Sequence, residues 1–176
     1  VLDLVEKKLV TDQLVLDVGY DIENLADPER RKKYRGEVKA DRYGRVVPKH
    51  AHGTANLKKK TSSTSQIMEA VLELYDRIVD ENLLIRRVYV TANHALDEQS
   101  ISEETEFTQM DLFTDYQAVA EEQEAEQEKR EKERRLQEAM LSVKKKYGKN
   151  AMLKGTNLQE GATMQERNNQ IGGHHA

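Results

Sequence analysis

Apolar residues recur at every second position in three stretches of the chain, and each stretch predicts a strand with one apolar and one polar side. Leu14, Leu16, Val18 and Tyr20 stand on one side of the first, with Asp17, Gly19 and Asp21 on the other. The second, Ala51 to Leu57, sets His52, Thr54 and Asn56 opposite Gly53, Ala55 and Leu57. The third, Ile85 to His94, sets Val88, Val90 and Ala92 opposite Arg87, Tyr89, Thr91 and Asn93.

Helical spacing fills the intervals. Leu2, Val5 and Leu9 share one face of an opening helix that reads as cut, since neither an initiator Met nor an N-cap precedes it. Ser63 and Gln66 form a capping-box pattern, and Ile67, Val71, Leu74 and Ile78 then recur on one face until Asp80-Glu81-Asn82 ends the run. Asp27-Pro28 opens the basic stretch Arg30 to Arg35, and Asp41-Arg42-Tyr43-Gly44 has turn chemistry that predicts a hairpin. Lys58-Lys59-Lys60-Thr61-Ser62 reads as a loop. Strands and helices mixed around one sheet, with helices on one side, make an α+β two-layer sandwich.

Beyond Leu96 the pattern changes. Residues 97–116 are polar and acidic without period, and read as a linker ending in the apolar island Gln109-Met110-Asp111-Leu112-Phe113. From Gln117 to Lys146 there is no Gly or Pro. Glu126 with Arg130, Glu128 with Lys132 and Glu131 with Arg135 place acid before base at i,i+4, so residues 117–147 predict a long charged helix with Gly148 as its stop. Its apolar stripe is short, comprising Leu136, Met140 and Val143. Residues 148–176 form a polar, flexible tail, and residues 1–96 the folded domain.

Composition narrows the function classes. Charged residues make up 34% and apolar residues 37% of the 176, enough for one modest core. The absence of Cys removes disulfide frameworks and thiolate metal sites, and no apolar run suits a signal peptide or membrane span, so a bacterial-type cytoplasm fits best. The net charge of −4 conceals an asymmetry, because acidic residues concentrate after Asp97 and basic clusters precede it.

The polar face of the sheet is the candidate site. It offers Arg87, Tyr89, Thr91 and Asn93 from one strand and His52, Thr54 and Asn56 from another, with Lys58, Lys59 and Lys60 at the edge. Thr61, Ser62 and Ser63 flank the free N–H groups of a helix start, and such donors beside cations suit phosphates. The same pattern also describes an ordinary solvated sheet face. The histidine pairs at 50/52 and 174/175 lack a third ligand, so no metal site is expected. No Gly-rich phosphate loop, nucleophile elbow or magnesium-binding carboxylate pair is present, so no catalytic residue is assigned. Leu112 and Phe113 suit an apolar pocket, with the Gln109 amide beside them.

Several segments carry a resemblance to a known family. They are Leu9-Val10-Thr11-Asp12-Gln13 with Val18-Gly19-Tyr20-Asp21, Pro48 to Thr54, Ile85-Arg86-Arg87-Val88, Gln109 to Phe113, Lys145 to Asn150, and Arg167 to His174. Together they resemble the C-terminal portion of Y-family translesion DNA polymerases of the UmuC/ImpB/MucB type, nearest the UvrX-like UV-damage-repair branch of Gram-positive bacteria. The pentapeptide is similar to the bacterial sliding-clamp-binding motif.

The resemblance implies a little-finger domain whose sheet lies against DNA, with Arg86 and Arg87 as backbone contacts. It also implies that a first strand and the palm carboxylates precede Val1, so this chain would have no polymerase activity and no cofactor of its own, magnesium belonging to the palm. The expected partners are primer-template DNA, the sliding clamp and, at the tail, a regulatory protein. The setting would be error-prone repair in the SOS response, at the nucleoid. The alternative is a non-enzymatic adaptor that binds a partner through its long charged helix.

Overall fold

The computed structural model describes residues 1–100, 116–171 and 174–175. The chain divides into two units, one spanning Lys8–Thr105 with Val1, the other combining Leu2–Lys7 with Glu106–Ala176. Among the described residues, no helix is long and apolar enough to cross a membrane.

The first unit is built on strand β1 (Leu9–Tyr20), which runs between β4 (Ala51–Thr61) and β5 (Ile85–Asn93) in an antiparallel sheet, with the short β6 (Leu96–Asp97) pairing the start of β1. The architecture is α+β. Alternation in β1 decides its two sides: Leu14, Leu16 and Val18 are at most 1% exposed and Tyr20 is buried. Helix α4 (Thr64–Ile78) covers that side by packing on β4 and β1, and Leu74 joins the same core. Burial of Leu14, Leu16 and Leu74 stabilises the unit by roughly 1.5–3 kcal/mol each. The start of α4 is the expected cap, since the Ser63 hydroxyl accepts from the Gln66 amide at 3.3 Å.

Close approach of α4 depends on one glycine. A Cβ at Gly53 would lie 2.9 Å from Leu74 Cδ1 and 3.2 Å from Ile78 Cδ1, and Leu74 is too enclosed to yield. Gly53→Val is expected to destabilise the unit by about 1–3 kcal/mol through overpacking. In urea, the midpoint should fall with an unchanged slope; an unchanged midpoint would show that the interface yields.

Three features differ from the sequence expectation. β1 begins five residues earlier than its alternation suggests, because a register shift between Thr11 and Gln13 interrupts the period. The buried Thr11 hydroxyl occupies that shift, donating to the Asn93 carbonyl and accepting from the Gln13 amide at 3.2 Å. Lys58, Lys59 and Lys60 lie inside β4 rather than in a loop, where register passes from Gln13↔Asn56 to Thr11↔Thr61. Finally, Val88 and Val90 are 48% and 50% exposed, so the apolar side of the outer strand β5 lies open.

The link from β1 to β4 carries α2 (Glu23–Ala26), α3 (Pro28–Lys33) and the hairpin of β2 (Val38–Ala40) with β3 (Val46–Pro48). Asp27 caps α3 by accepting from the Glu29 and Arg30 amides at 2.8 and 3.1 Å, and these bonds hold its carboxyl below the ordinary range. Asn24 is 1% exposed and fastens this link to the sheet. Its Nδ2 donates to the Asp21 and Leu84 carbonyls, both at 2.9 Å, and its Oδ1 accepts from the Leu84 amide at 2.8 Å.

In the second unit, α1 (Leu2–Glu6) contacts α5 (Tyr116–Tyr147). The three expected acid–base pairs of α5 form, at 2.6, 3.3 and 3.5 Å, joined by Arg134–Glu138 at 3.1 Å. Of the expected stripe, Met140 and Val143 are half-buried, whereas Leu136 is 60% exposed and Gln137 is buried beside it. Gly148, at φ 94°, ends the helix by donating to the Lys144 carbonyl at 2.9 Å. Beyond it, α6 (Met164–Asn168) and the ladder of Gln170–Ile171 with His174–His175 follow. The Asn150 amide group gathers this segment, bonding Gln165, Asn168 and Asn169.

Candidate functional site

Register assembles the polar side of the sheet. Gln13 lies opposite Asn56 and Asn93, Val15 opposite Thr54 and Thr91, Asp17 opposite His52 and Tyr89, and Gly19 opposite Arg87. The two strands singled out from the sequence therefore flank β1, which supplies the middle of the first three rows. In the first row the amides are linked: Gln13 Nε2 donates to Asn56 Oδ1 and Asn93 Nδ2 donates to Gln13 Oε1, each at 3.0 Å.

The cationic end of the face is shaped by a missing side chain. A Cβ at Gly19 would lie 3.1 Å from both Cγ and Nε of Arg87, so glycine lets that arginine lie down across the sheet. Its guanidinium then sits 5.6 Å from the Tyr89 ring centroid, within cation–π range. Arg86 falls at the register shift between Gly19 and Tyr20, and its Nη1 is 3.8 Å from Asp21 Oδ2. The two arginines are therefore unlike: Arg86 has a carboxylate nearby, and Arg87 rests on an aromatic ring.

Asp17, on the polar side of β1 as its spacing predicts, puts a carboxylate in the middle of this face. His50 Nδ1 and His52 Nδ1 approach its two oxygens at 3.5 and 3.4 Å, and each becomes an ion pair when the imidazole is protonated. An anion resting on this row meets repulsion from Asp17 unless those imidazoles carry charge. Among the described residues, no group of three or more His, Cys, Asp or Glu is arranged to hold a metal ion.

Of the expected phosphate donors at the start of α4, Ser62 is buried, and Thr61 and Ser63 already bond within this turn. Ser62 is 7% exposed, Thr61 Oγ1 accepts from the Ser63 amide at 3.0 Å, and Ser63 Oγ bonds Ser65 Oγ at 2.9 Å besides capping. Lys58, Lys59 and Lys60 remain at the surface, presented from the irregular part of β4.

The hairpin brings in arginines that sequence reasoning left as turn chemistry. Asp41 N–H donates to the Arg45 carbonyl at 2.8 Å and Gly44 N–H to the Asp41 carbonyl at 3.0 Å, with Gly44 at φ 76°. This is a three-residue loop whose left-handed position requires glycine. Asp41 Oδ1 also accepts from the Tyr43 and Arg45 amides at 2.8 and 2.9 Å, and Arg45 Nη2 lies 2.6 Å from Oδ2. The Arg45 guanidinium holds the Asp41 carboxyl below the usual carboxylate range. A cleft of about 280 Å³ opens between this loop and the sheet, lined by Arg42, Arg45, Arg86, Arg87 and His50 among others. The tertiary meeting of hairpin and sheet leaves no periodic trace, though two arginines in a five-residue turn were a usable signal.

Gln109, Met110, Asp111, Leu112 and Phe113 lie outside the described residues. No family model matches the chain, and no curated protein and no solved structure matches it.

Proposed function

We propose that this chain is the DNA-gripping, clamp-tethered C-terminal region of a Y-family translesion DNA polymerase. The observation that carries the reading is the polar sheet side, where Asn, Thr and Tyr side chains are set in register and end in an arginine laid flat over Gly19. Such a surface offers donors and cations without a deep pocket, which suits a repeating phosphate backbone and selects no base sequence. The Gln109 to Phe113 pentapeptide supports recruitment by a sliding clamp. Template-directed synthesis would belong to other parts of the parent protein, with magnesium held there.

The full chain is expected to bind primer-template duplex weakly and without sequence preference, in an anisotropy titration with labelled DNA. For three to four phosphate contacts, affinity should fall roughly 50- to 150-fold between about 50 and 200 mM salt. Lys58→Ala with Lys60→Ala should lessen the log–log salt slope by about two units. Affinity indifferent to salt and to both lysines would refute the reading. It would then favour an adaptor using α5, whose Leu136 is 60% exposed.

A further inference from the structure

The cleft between the hairpin loop and the sheet has features that a duplex-gripping face does not need. Arg45 is matched at 2.6 Å by Asp41, and Arg86 has Asp21 at 3.8 Å. Arg42 and Arg87 line the same cleft with no carboxylate at ion-pair distance among the described residues. Two guanidiniums on opposite walls thus lack an anion. Beside them stands Tyr43, 78% exposed at the tip of the loop, with the Arg45 guanidinium 5.2 Å from its ring centroid. Backbone phosphates of a duplex have no use for an exposed aromatic ring, whereas an unpaired base stacks on one.

We infer that this cleft takes a nucleotide of an unpaired strand, its phosphodiester between Arg42 and Arg87 and its base against Tyr43. The ligand class rests on the nucleic-acid reading of the adjoining sheet side, but the geometry does not. Asp41 carries a negative charge at the mouth, and its bonds to Arg45 and to two loop amides turn its oxygens toward the loop. The cleft thereby keeps a positive balance, because Asp41 and Asp21 answer Arg45 and Arg86 and leave Arg42 and Arg87 unmatched. The hairpin becomes a finger that holds the strand where it leaves the duplex.

The test compares two labelled DNA probes bound by the full chain: a blunt duplex, and the same duplex with a single-stranded overhang. The overhang probe should bind at least about fivefold more tightly, reflecting one stacked base. Tyr43→Ala should abolish that preference without altering blunt-duplex affinity, and Arg42→Glu should weaken the overhang probe by tenfold or more. Lys60→Glu, at the far end of the face, should weaken both probes alike. Overhang affinity within twofold of the parent chain in Arg42→Glu overturns the inference while leaving duplex binding intact. If neither probe binds the parent chain, the reading of the sheet fails, and pyrophosphate decides the cleft. Shifts of the Arg42 and Arg87 Nε–H resonances on pyrophosphate addition would support an anion site, and their absence would overturn it.

Discussion

Asn24→Ala is expected to lower the stability of the first unit by about 2–4 kcal/mol. The side chain is 1% exposed and makes three hydrogen bonds at 2.8–2.9 Å, all to backbone groups at Asp21 and Leu84. Alanine leaves the Leu84 amide without its acceptor in a place water does not reach, and an orphaned buried donor costs about 1–3 kcal/mol. The two carbonyls fare better, because Leu84 O still accepts from the Asp21 amide at 2.8 Å and Asp21 O from the Asn24 amide at 3.3 Å. For a unit of this size the loss corresponds to a fall in Tm of roughly 10–25 °C. Thermal melts by far-ultraviolet circular dichroism would measure it. A change under about 0.5 kcal/mol would mean that the link from β1 to α3 opens without disturbing the sheet.

The second large effect concerns the proposed recruitment by a clamp. Replacing Leu112 and Phe113 together by alanine should reduce affinity for a bacterial sliding clamp at least a hundredfold. Each side chain contributes on the order of 1.5–3 kcal/mol when it fills an apolar pocket, and 1.4 kcal/mol is tenfold in affinity. Surface plasmon resonance with immobilised clamp and the full chain is the direct measurement. Salt supplies an internal control, since apolar anchoring should persist at ionic strengths that abolish DNA binding. A double variant within threefold of the parent would assign the tether to another segment.

Both effects bear on how much was readable in advance. The core of β1 and the cap and apolar face of α4 follow from residue periods and short-range chemistry, so Leu14, Leu16, Val18, Ser63 and Leu74 could be placed directly. The hairpin followed in the same way from Asp41 and Gly44, and the polar parity of β5 from Arg87 to Asn93. Asn24 could not be, because an asparagine in a polar run carries no sign of a backbone partner sixty residues away. The lysines at 58–60 looked like a loop because charge clusters usually lie outside strands, yet β4 carries them past an irregular register. The exposed Val88 and Val90 were indistinguishable from core positions, since alternation reports which side a residue faces and not whether anything covers that side. The cleft is illegible for a related reason: Arg42 and Arg87 meet only when the excursion folds back onto the sheet.

The position of β1 at the centre of the sheet also governs the order in which the first unit can assemble. Its two long partners begin 31 and 65 residues after its end, at Ala51 and Ile85. A chain emerging from the ribosome therefore carries Leu14, Leu16 and Val18 unburied until α4 arrives, and an incomplete sheet until β5 does. Contacts this distant in sequence slow folding and prolong the exposure of apolar strand surface. Synthesis halted before Ile85 would leave β1 without its second partner, a species suited to capture by chaperones.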